Sequence, residues 1–339
     1  MTALAPHLSA FFQERLTLER RASVNTCDSY AYAFRLLLDY ASERLKTAPS
    51  RMELEQLDAP LVVGFLHHLE ATRANAVSSR NVRLAAIKSF MHFMEYRVPC
   101  ALEQIQRILA IPMKKTDSRL VRHLSMPEIQ ALLDAPTPVD WAGVRDRAML
   151  HLCFAAGLRV SELTGLCLGD VSLHPQASIV VHGKGRKERC LPLWKQTATA
   201  VRAWLAVRGT IHVPELFVNS RREPMSRAGF EYILEKHVRT ACERCPSLKT
   251  KRVSPHVLRH SCALMVLEAT KDLRKVSLWL GHASMQTTEM YTRADPSIKL
   301  EALNAGTAPH LRSGRFRATD KLIASLATGN LMRRDGRPR

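Results

Sequence analysis

The sequence predicts a mainly α-helical chain in two domains, with one small antiparallel β element confined to the second. Three observations carry this expectation. At 339 residues the chain is longer than one ordinary core organises. Apolar residues recur at helical spacing through most of its length. The one clear strand signal is a pair of short runs around a glycine-rich turn, the pattern of a hairpin.

Residues 1–98 read as helical, without strand-type alternation. Thr26 to Tyr40 places Tyr30, Phe34, Leu37 and Leu38 at helical spacing. A second helix follows Asp58, an N-cap with Pro60 in the first turn, and carries Leu61, Val62, Phe65 and Leu69. A third begins near Ser78 and carries Val82, Ala85, Ile87, Phe90 and Phe93. Its basic residues Arg80, Arg83 and Lys88 are either a solvated face or a face that tracks phosphates. Residues 99–117 form the expected linker. Pro99 and Pro112 punctuate it, with room for a short helix from Ala101 to Ile111, and the stretch from Pro112 to Arg119 is its hinge.

The second domain, residues 118–304, opens on Ser125-Met126-Pro127-Glu128, which has capping-box spacing. A helix from Arg145 to Ala156 stops at Gly157, and Ser161 is the expected N-cap of the next. Ser178-Ile179-Val180-Val181 and Arg189-Cys190-Leu191-Pro192-Leu193 flank Gly183-Lys184-Gly185-Arg186-Lys187 as the hairpin. Helices return from Thr197 onward. Residues 305–339 hold eight basic and two acidic residues and read as a basic tail of little order, in which Leu322, Ile323 and Leu326 leave room for one short amphipathic helix.

Charge narrows the partner. Fifty Lys and Arg against 31 Asp and Glu give a formal net charge of +19, which favours a polyanion: DNA, RNA or an anionic membrane surface. Residues 1–115 hold 15 basic and 11 acidic residues, so most of the surplus lies in the second part. No stretch approaches about 18 uninterrupted apolar residues, the length of a spanning helix. The start of the chain lacks a basic region followed by an apolar one. The eight cysteines are scattered, several among apolar neighbours, as expected in a reduced compartment. A cytoplasmic DNA-binding protein is the simplest class.

A set of residues in the second domain suits phosphodiester transesterification. Arg159 follows the helix stop at Gly157, Lys184 sits at the hairpin turn, and His256 and Arg259 share one short segment. His282 follows Leu280-Gly281, and Tyr291 comes later still. Two guanidinium forks can each meet two phosphate oxygens, which lysine cannot. A tyrosine hydroxyl, with a reference pKa of about 10, needs neighbouring cations and a histidine to become a nucleophile. A lysine on a hairpin can protonate the leaving oxygen. Any one of these residues alone would be an ordinary surface, capping or packing group; the joint pattern is what points to chemistry.

The ordered segments Ala156-Gly157-Leu158-Arg159-Val160-Ser161-Glu162-Leu163, Gly183-Lys184-Gly185, His256-Val257-Leu258-Arg259-His260, Leu280-Gly281-His282 and Tyr291-Thr292 resemble the tyrosine recombinase (phage integrase) family, and within it the Xer-like branch. The resemblance runs from about residue 10 to 304. It implies a SAM-like, core-binding DNA-binding domain over residues 1–98 and a recombinase catalytic domain over 118–304. It implies that Arg159 and Arg259 hold the scissile phosphate and that Lys184 is the general acid. His256 would assist proton transfer with the nucleophile, His282 would hydrogen-bond the phosphate, and Glu162 would buttress the pocket. Tyr291 would form a 3′-phosphotyrosyl link and release a 5′ hydroxyl. Arg80, Arg83, Lys88, Arg186 and Lys187 are the candidate DNA contacts. The partner would be double-stranded recombination sites, bound by a homo- or hetero-tetramer, with sister recombinases as possible members. The reaction would use no cofactor, neither ATP nor a metal.

Two departures bear on the biological role. Thr292-Arg293 stands where Xer proteins usually show Thr-His, and the tail beyond residue 305 is longer and more basic. Both lean towards an integrase or recombinase of a mobile element and away from chromosome or plasmid dimer resolution. The tail either docks on a neighbouring subunit or adds nonspecific DNA affinity. Four rivals stand beside this reading: a type IB topoisomerase, a non-catalytic architectural DNA-binding protein, an RNA-binding protein, and a zinc site. The last would use Cys242, Cys245, His256 and His260, although the gap between its pairs is shorter than the finger spacing of about 12 residues.

Overall fold

The computed structural model describes residues 2–116, 121–183, 187–281, 287, 288 and 291. The chain divides into two compact units, Met1–Arg119 and Leu120–Arg339, each mainly helical.

In the first unit α1 (Leu4–Ala10) runs directly into a widened π-type segment, Phe11–Glu19. It is followed by α2 (Val24–Leu45), α3 (Ala59–Ala71), α4 (Val77–Met94) and α5 (Leu102–Leu109). The starts follow local chemistry. Ser23 accepts from the Thr26 amide, and Asp58 accepts from the Leu61 amide at 2.8 Å with Pro60 in the first turn. The core is aromatic: the Phe11 ring meets Phe34 and Phe90 edge-on, with centroids 6.2 and 5.4 Å away. α5 buries Ile105 and Ile108 in the same core, and the Gln104 amide donates to Leu54 O and Leu57 O. The part of the expected linker that forms α5 is thus packed into the first unit.

Arg80 departs from the expected phosphate-facing role. It is only 4% exposed, and its guanidinium donates to Pro112 O at 3.0 Å and Asn81 Oδ1 at 3.1 Å. Lys88 donates to Leu109 O, and the Arg83 guanidinium lies over the Tyr32 ring, 4.8 Å from its centroid. The cause is local. The last carbonyl of α5 and the chain just beyond it need donors, and the basic side chains of α4 supply them.

The second unit begins with α6 (Met126–Leu133), where the expected capping box forms as Glu128 accepts from the Ser125 amide at 2.8 Å. Then come α7 (Trp141–Ala155) and α8 (Val160–Thr164). A three-stranded antiparallel sheet follows: β1 (Val171–Ser172), β2 (Ser178–His182) and β3 (Glu188–Pro192), in that order. The register pairs Ile179 with Leu191 and His182 with Glu188, and Ile179, Val181 and Leu191 point into the core. The hairpin matches the sequence expectation. β1 does not appear in it, because two residues are too few to alternate. Four longer helices complete the unit: α9 (Lys195–Arg208), α10 (Arg227–Arg244), α11 (Pro255–Thr270) and α12 (Leu273–Leu280).

Along α7 one side chain after another is buried, from Ala148 to Ala155. Its exit is set by Gly157, whose φ of +57° lets the Leu158 amide turn back to Cys153 O. A Cβ there would lie 2.6 Å from Leu280, so the close approach of α12 also requires glycine. One local expectation is corrected: Ser161 is exposed inside α8 and does not cap it. The Glu162 carboxylate reaches back to the Arg159 amide at 3.0 Å, which starts the helix two residues earlier, with Arg159 as N-cap. Among the described residues no helix is long and apolar enough to cross a membrane.

Candidate active site

The site is built around one carboxylate. Glu162 sits on α8 with its side chain 4% exposed. Arg159 Nη1 donates to its Oε1 at 2.7 Å, and Arg189 from β3 donates to Oε2 at 2.8 Å and to Oε1 at 3.3 Å. Arg259 from α11 approaches the same carboxylate to 3.7 Å. Burial alone would raise the Glu162 pKa, but the Arg189 hydrogen bonds, the Arg159 amide and the guanidinium charges hold it below the ordinary carboxyl value. It is therefore an anion that organises cations and not a proton donor.

Each guanidinium is held from behind. Arg259 donates to Gly157 O at 2.5 Å and to Leu280 O at 2.7 Å, the carbonyls that end or follow two other helices. Those bonds fix the plane of its fork. Burial, and then the neighbouring Arg159 charge, bring its pKa down to about 10, so it remains a cation near neutrality. Arg159 is the more open of the pair, with its side chain 32% exposed. Gly281, at φ +65°, turns the chain after α12, and a Cβ there would lie 3.0 Å from Arg189 Nη1. The glycine lets the chain pass over the arginine.

Three guanidinium groups around one carboxylate leave a formal surplus of positive charge. In a partly buried place such a surplus calls for an anionic ligand. Tyr291 belongs to the same electrostatic neighbourhood. It is 1% exposed, and its hydroxyl lies 2.9 Å from His260 Nδ1. Burial pushes its phenol up to about 12, while Arg259 and Arg159 act in the opposite sense. Burial also takes His260 down to about 4, helped by His256 and Arg259, so its imidazole is neutral.

Of the candidate residues, Arg159, Glu162, Arg259 and Tyr291 thus gather in one place. His256 is exposed, one turn before His260 on α11, with ring centroids 6.5 Å apart. Lys187 is exposed at the foot of the hairpin. Lys184, Arg186 and His282 lie outside the described residues. Two participants escaped the sequence reading. Arg189 gives no local signal, because its partner is 27 residues away. His260 stood within a quoted motif, but the hydrogen bond to the tyrosine falls on it and not on His256. The zinc alternative is not supported: among the described residues no three His, Cys, Asp or Glu side chains form a metal-holding group.

Comparisons with known proteins find likenesses along most of the chain. Residues 122–297 match the phage integrase family, and residues 10–97 match the phage integrase N-terminal SAM-like domain. A putative integrase/recombinase, y4rC of Sinorhizobium fredii, is 44% identical over 96% of this chain and 98% of its own. Tyrosine recombinase XerC of Pelobacter propionicus is 34% identical over 83% of this chain and 88% of its own. Among solved structures, XerH site-specific recombinase bound to palindromic difH substrate in a post-cleavage complex superposes with a TM-score of 0.65 at 23% identity, covering 84% of this chain and 81% of that one. A lambda integrase dimer bound to a core site gives 0.60 at 14% identity, covering 93% and 81%. At those identities the structural likeness is one of fold.

Proposed function

This chain belongs to the phage integrase family, the tyrosine recombinases, and from that premise we propose that it cuts and rejoins DNA at specific sites with Tyr291 as the nucleophile. Tyr291 Oη attacks the scissile phosphorus, a 3′-phosphotyrosyl ester forms, and the bond to the 5′ oxygen breaks. Arg159 and Arg259 take the non-bridging oxygens and stabilise the charge that develops there. Lys184 protonates the departing 5′ oxygen, and His282 hydrogen-bonds the phosphate. A histidine of α11 takes the phenolic proton, His256 being the one to which the family motif points. Rejoining reverses each transfer. One ester replaces another, so the ligation draws on no ATP.

The observation that supports this reading most is the set of cations around Glu162 beside a buried tyrosine. A DNA phosphodiester fits that charge. The partner is therefore double-stranded DNA, bound by more than one copy of the chain. We carry the finer assignments as part of the same proposal: a homo- or hetero-tetramer on paired sites, acting in the cytoplasm, encoded by a mobile element. The long basic tail and Thr292-Arg293 in the sequence support the last of these. We propose Arg83, Lys88, Arg186 and Lys187 as further DNA contacts. We also propose that residues 1–98 serve DNA binding and residues 118–304 catalysis.

The test is trapping on a nicked duplex carrying a DNA site that the protein itself selects from a random pool. We expect Tyr291→Phe to bind that site like the unsubstituted protein and to form no covalent adduct on a denaturing gel. An undiminished adduct would remove Tyr291 from the role.

A further inference from the structure

Three guanidinium groups share Glu162, and they do not hold it equally. Arg189 spans the carboxylate: Nη2 donates to Oε2 at 2.8 Å and Nη1 to Oε1 at 3.3 Å. Arg159 Nη1 donates to Oε1 at 2.7 Å, and the Arg159 amide to Oε2 at 3.0 Å. Arg259 Nη1 stands 3.7 Å from Oε2, beyond the usual N–H···O range of about 2.7–3.2 Å, and donates to Gly157 O instead. The oxygen that Arg259 approaches is thus one that Arg189 already occupies.

We propose that Arg189 is a positioning residue for strand cleavage: by filling the Glu162 carboxylate it leaves the forks of Arg159 and Arg259 free for the scissile phosphate. This deepens the function proposed above and rests on it. Arg189 does not touch the reacting atoms; it acts through Glu162. A buried carboxylate oxygen without its partner is costly, so on loss of Arg189 the carboxylate draws on the cations that remain. Those are the two arginines that the reaction needs. Arg259 would close on Oε2, and Arg159 would be held more tightly to the anion and less available to the DNA.

The surroundings fit that task. The Arg189 side chain is 10% exposed, and its residue pairs with Val181 across the hairpin, so the fork reaches Glu162 from a fixed strand. Its Nε is buried and meets no acceptor among the described residues, which leaves Glu162 as the group that orients the fork. Burial works against the Glu162 anion, and the Arg189 side-chain hydrogen bonds are the largest of the effects that preserve it. Two glycines pack against the same guanidinium. A Cβ on Gly281 would lie 3.0 Å from Arg189 Nη1, and one on Gly183 would lie 3.6 Å from it and 3.8 Å from Glu162 Oε1. In the sequence these glycines directly precede His282 and Lys184, so the chain leading to each of those candidates passes over Arg189.

The experiment uses the full chain on the self-selected nicked duplex, with single-turnover cleavage, site binding and thermal midpoint measured separately. A second duplex carries a methylphosphonate at the cleaved position, where a methyl group replaces one non-bridging oxygen and removes the charge that the arginine forks balance. Arg189→Gln should bind the site and cleave the ordinary phosphate on the order of 10–10²-fold more slowly, the scale on which groups that orient a ligand from behind act. On the methylphosphonate its loss should shrink to within about threefold, whereas damage to the fold alone slows both substrates alike. Arg189→Lys keeps the charge without spanning the carboxylate; it should retain more of the rate, and it is read in the same way should the Gln variant fold poorly. In Glu162→Gln, the added change Arg189→Gln should cost little further, because the group it acts through is gone. Cleavage within about threefold of the unsubstituted protein, an equal loss on both substrates, or a full further loss in Glu162→Gln overturns the proposal. Tyr291→Phe keeps the two claims apart: if it abolishes cleavage while Arg189→Gln does not slow it, only the role of Arg189 falls.

Discussion

The two units bury different things. The first packs Phe11, Phe34, Phe65 and Phe90 to essentially no exposure, and Arg80 is the buried charge among its described residues. The second buries Glu128, Arg145, Asp146, Glu162, Arg208 and Arg259, together with His151 and His237. Aromatic burial stabilises without direction. Buried charges are costly unless paired, and their pairing fixes position. Asp146 shows this away from the active site: Arg145 donates to its Oδ1 at 2.7 and 3.0 Å, and His237 Nε2 lies 2.9 Å from its Oδ2. The contrast teaches a division of labour. One unit is a packed body with few polar commitments; the other accepts the cost of buried charge to hold guanidinium groups where a phosphate can meet them.

The largest effect that would sharpen this contrast is on stability. Phe90→Ala removes a ring that touches both Phe11 and Phe34. We expect it to destabilise the first unit by about 3–5 kcal/mol, read as a lower denaturant midpoint for that unit's transition. A change near zero would mean that the aromatic core is not what holds it.

Next is an effect on chemistry. Arg159→Lys keeps the charge and loses the fork, so adduct formation should fall on the order of 10²–10³-fold while the thermal midpoint moves little. Unaltered cleavage would remove Arg159 from the phosphate site. If stability fell as steeply as rate, the division of labour would fail, because the cation would then be holding the fold.

The smallest effect concerns an ion pair with no part in the chemistry. Glu128 accepts from Lys251, Ser247 and the Ser125 amide. Burial opposes its ionisation, but these bonds, that of Lys251 first, bring its pKa down to about 2. A carboxyl lowered on folding adds stability above its unfolded pKa and loses it as pH falls through the folded one. The contribution is therefore whole above about pH 4.5 and drains away towards pH 2. Glu128→Gln should cost roughly 1–3 kcal/mol at neutral pH and flatten that part of the acid limb in a pH series of denaturation curves. An acid limb identical to that of the unsubstituted protein would contradict the assignment.

Much of the fold and of the site is legible in the sequence. The helices of the first unit follow from apolar spacing and from Asp58 and Pro60. The hairpin follows from two apolar runs around glycines. The cluster of Arg159, Glu162, Arg259 and Tyr291 follows from motifs whose residue types suit a phosphate. Other features were not legible, for physical reasons. Arg80 looks like any basic residue on a helix until α5 and the chain after it supply carbonyls for it to meet. Arg189 shares the inward face of its strand with Leu191, yet nothing nearby in the sequence marks the carboxylate from another element that it meets. His256 and His260 have the same helical phase, and only the tertiary position of Tyr291 sets which of them its hydroxyl meets.

The central claim is that a buried phenol beside a surplus of guanidinium charge attacks a DNA phosphate. The most direct measurement is to trap the adduct on the self-selected duplex, digest both protein and DNA, and locate the residual nucleotide by peptide mass spectrometry. The expected result is a single modified peptide carrying a 3′-phosphonucleotide on Tyr291. A nucleotide on any other residue, or no covalent adduct from a protein that binds the site tightly, would contradict it.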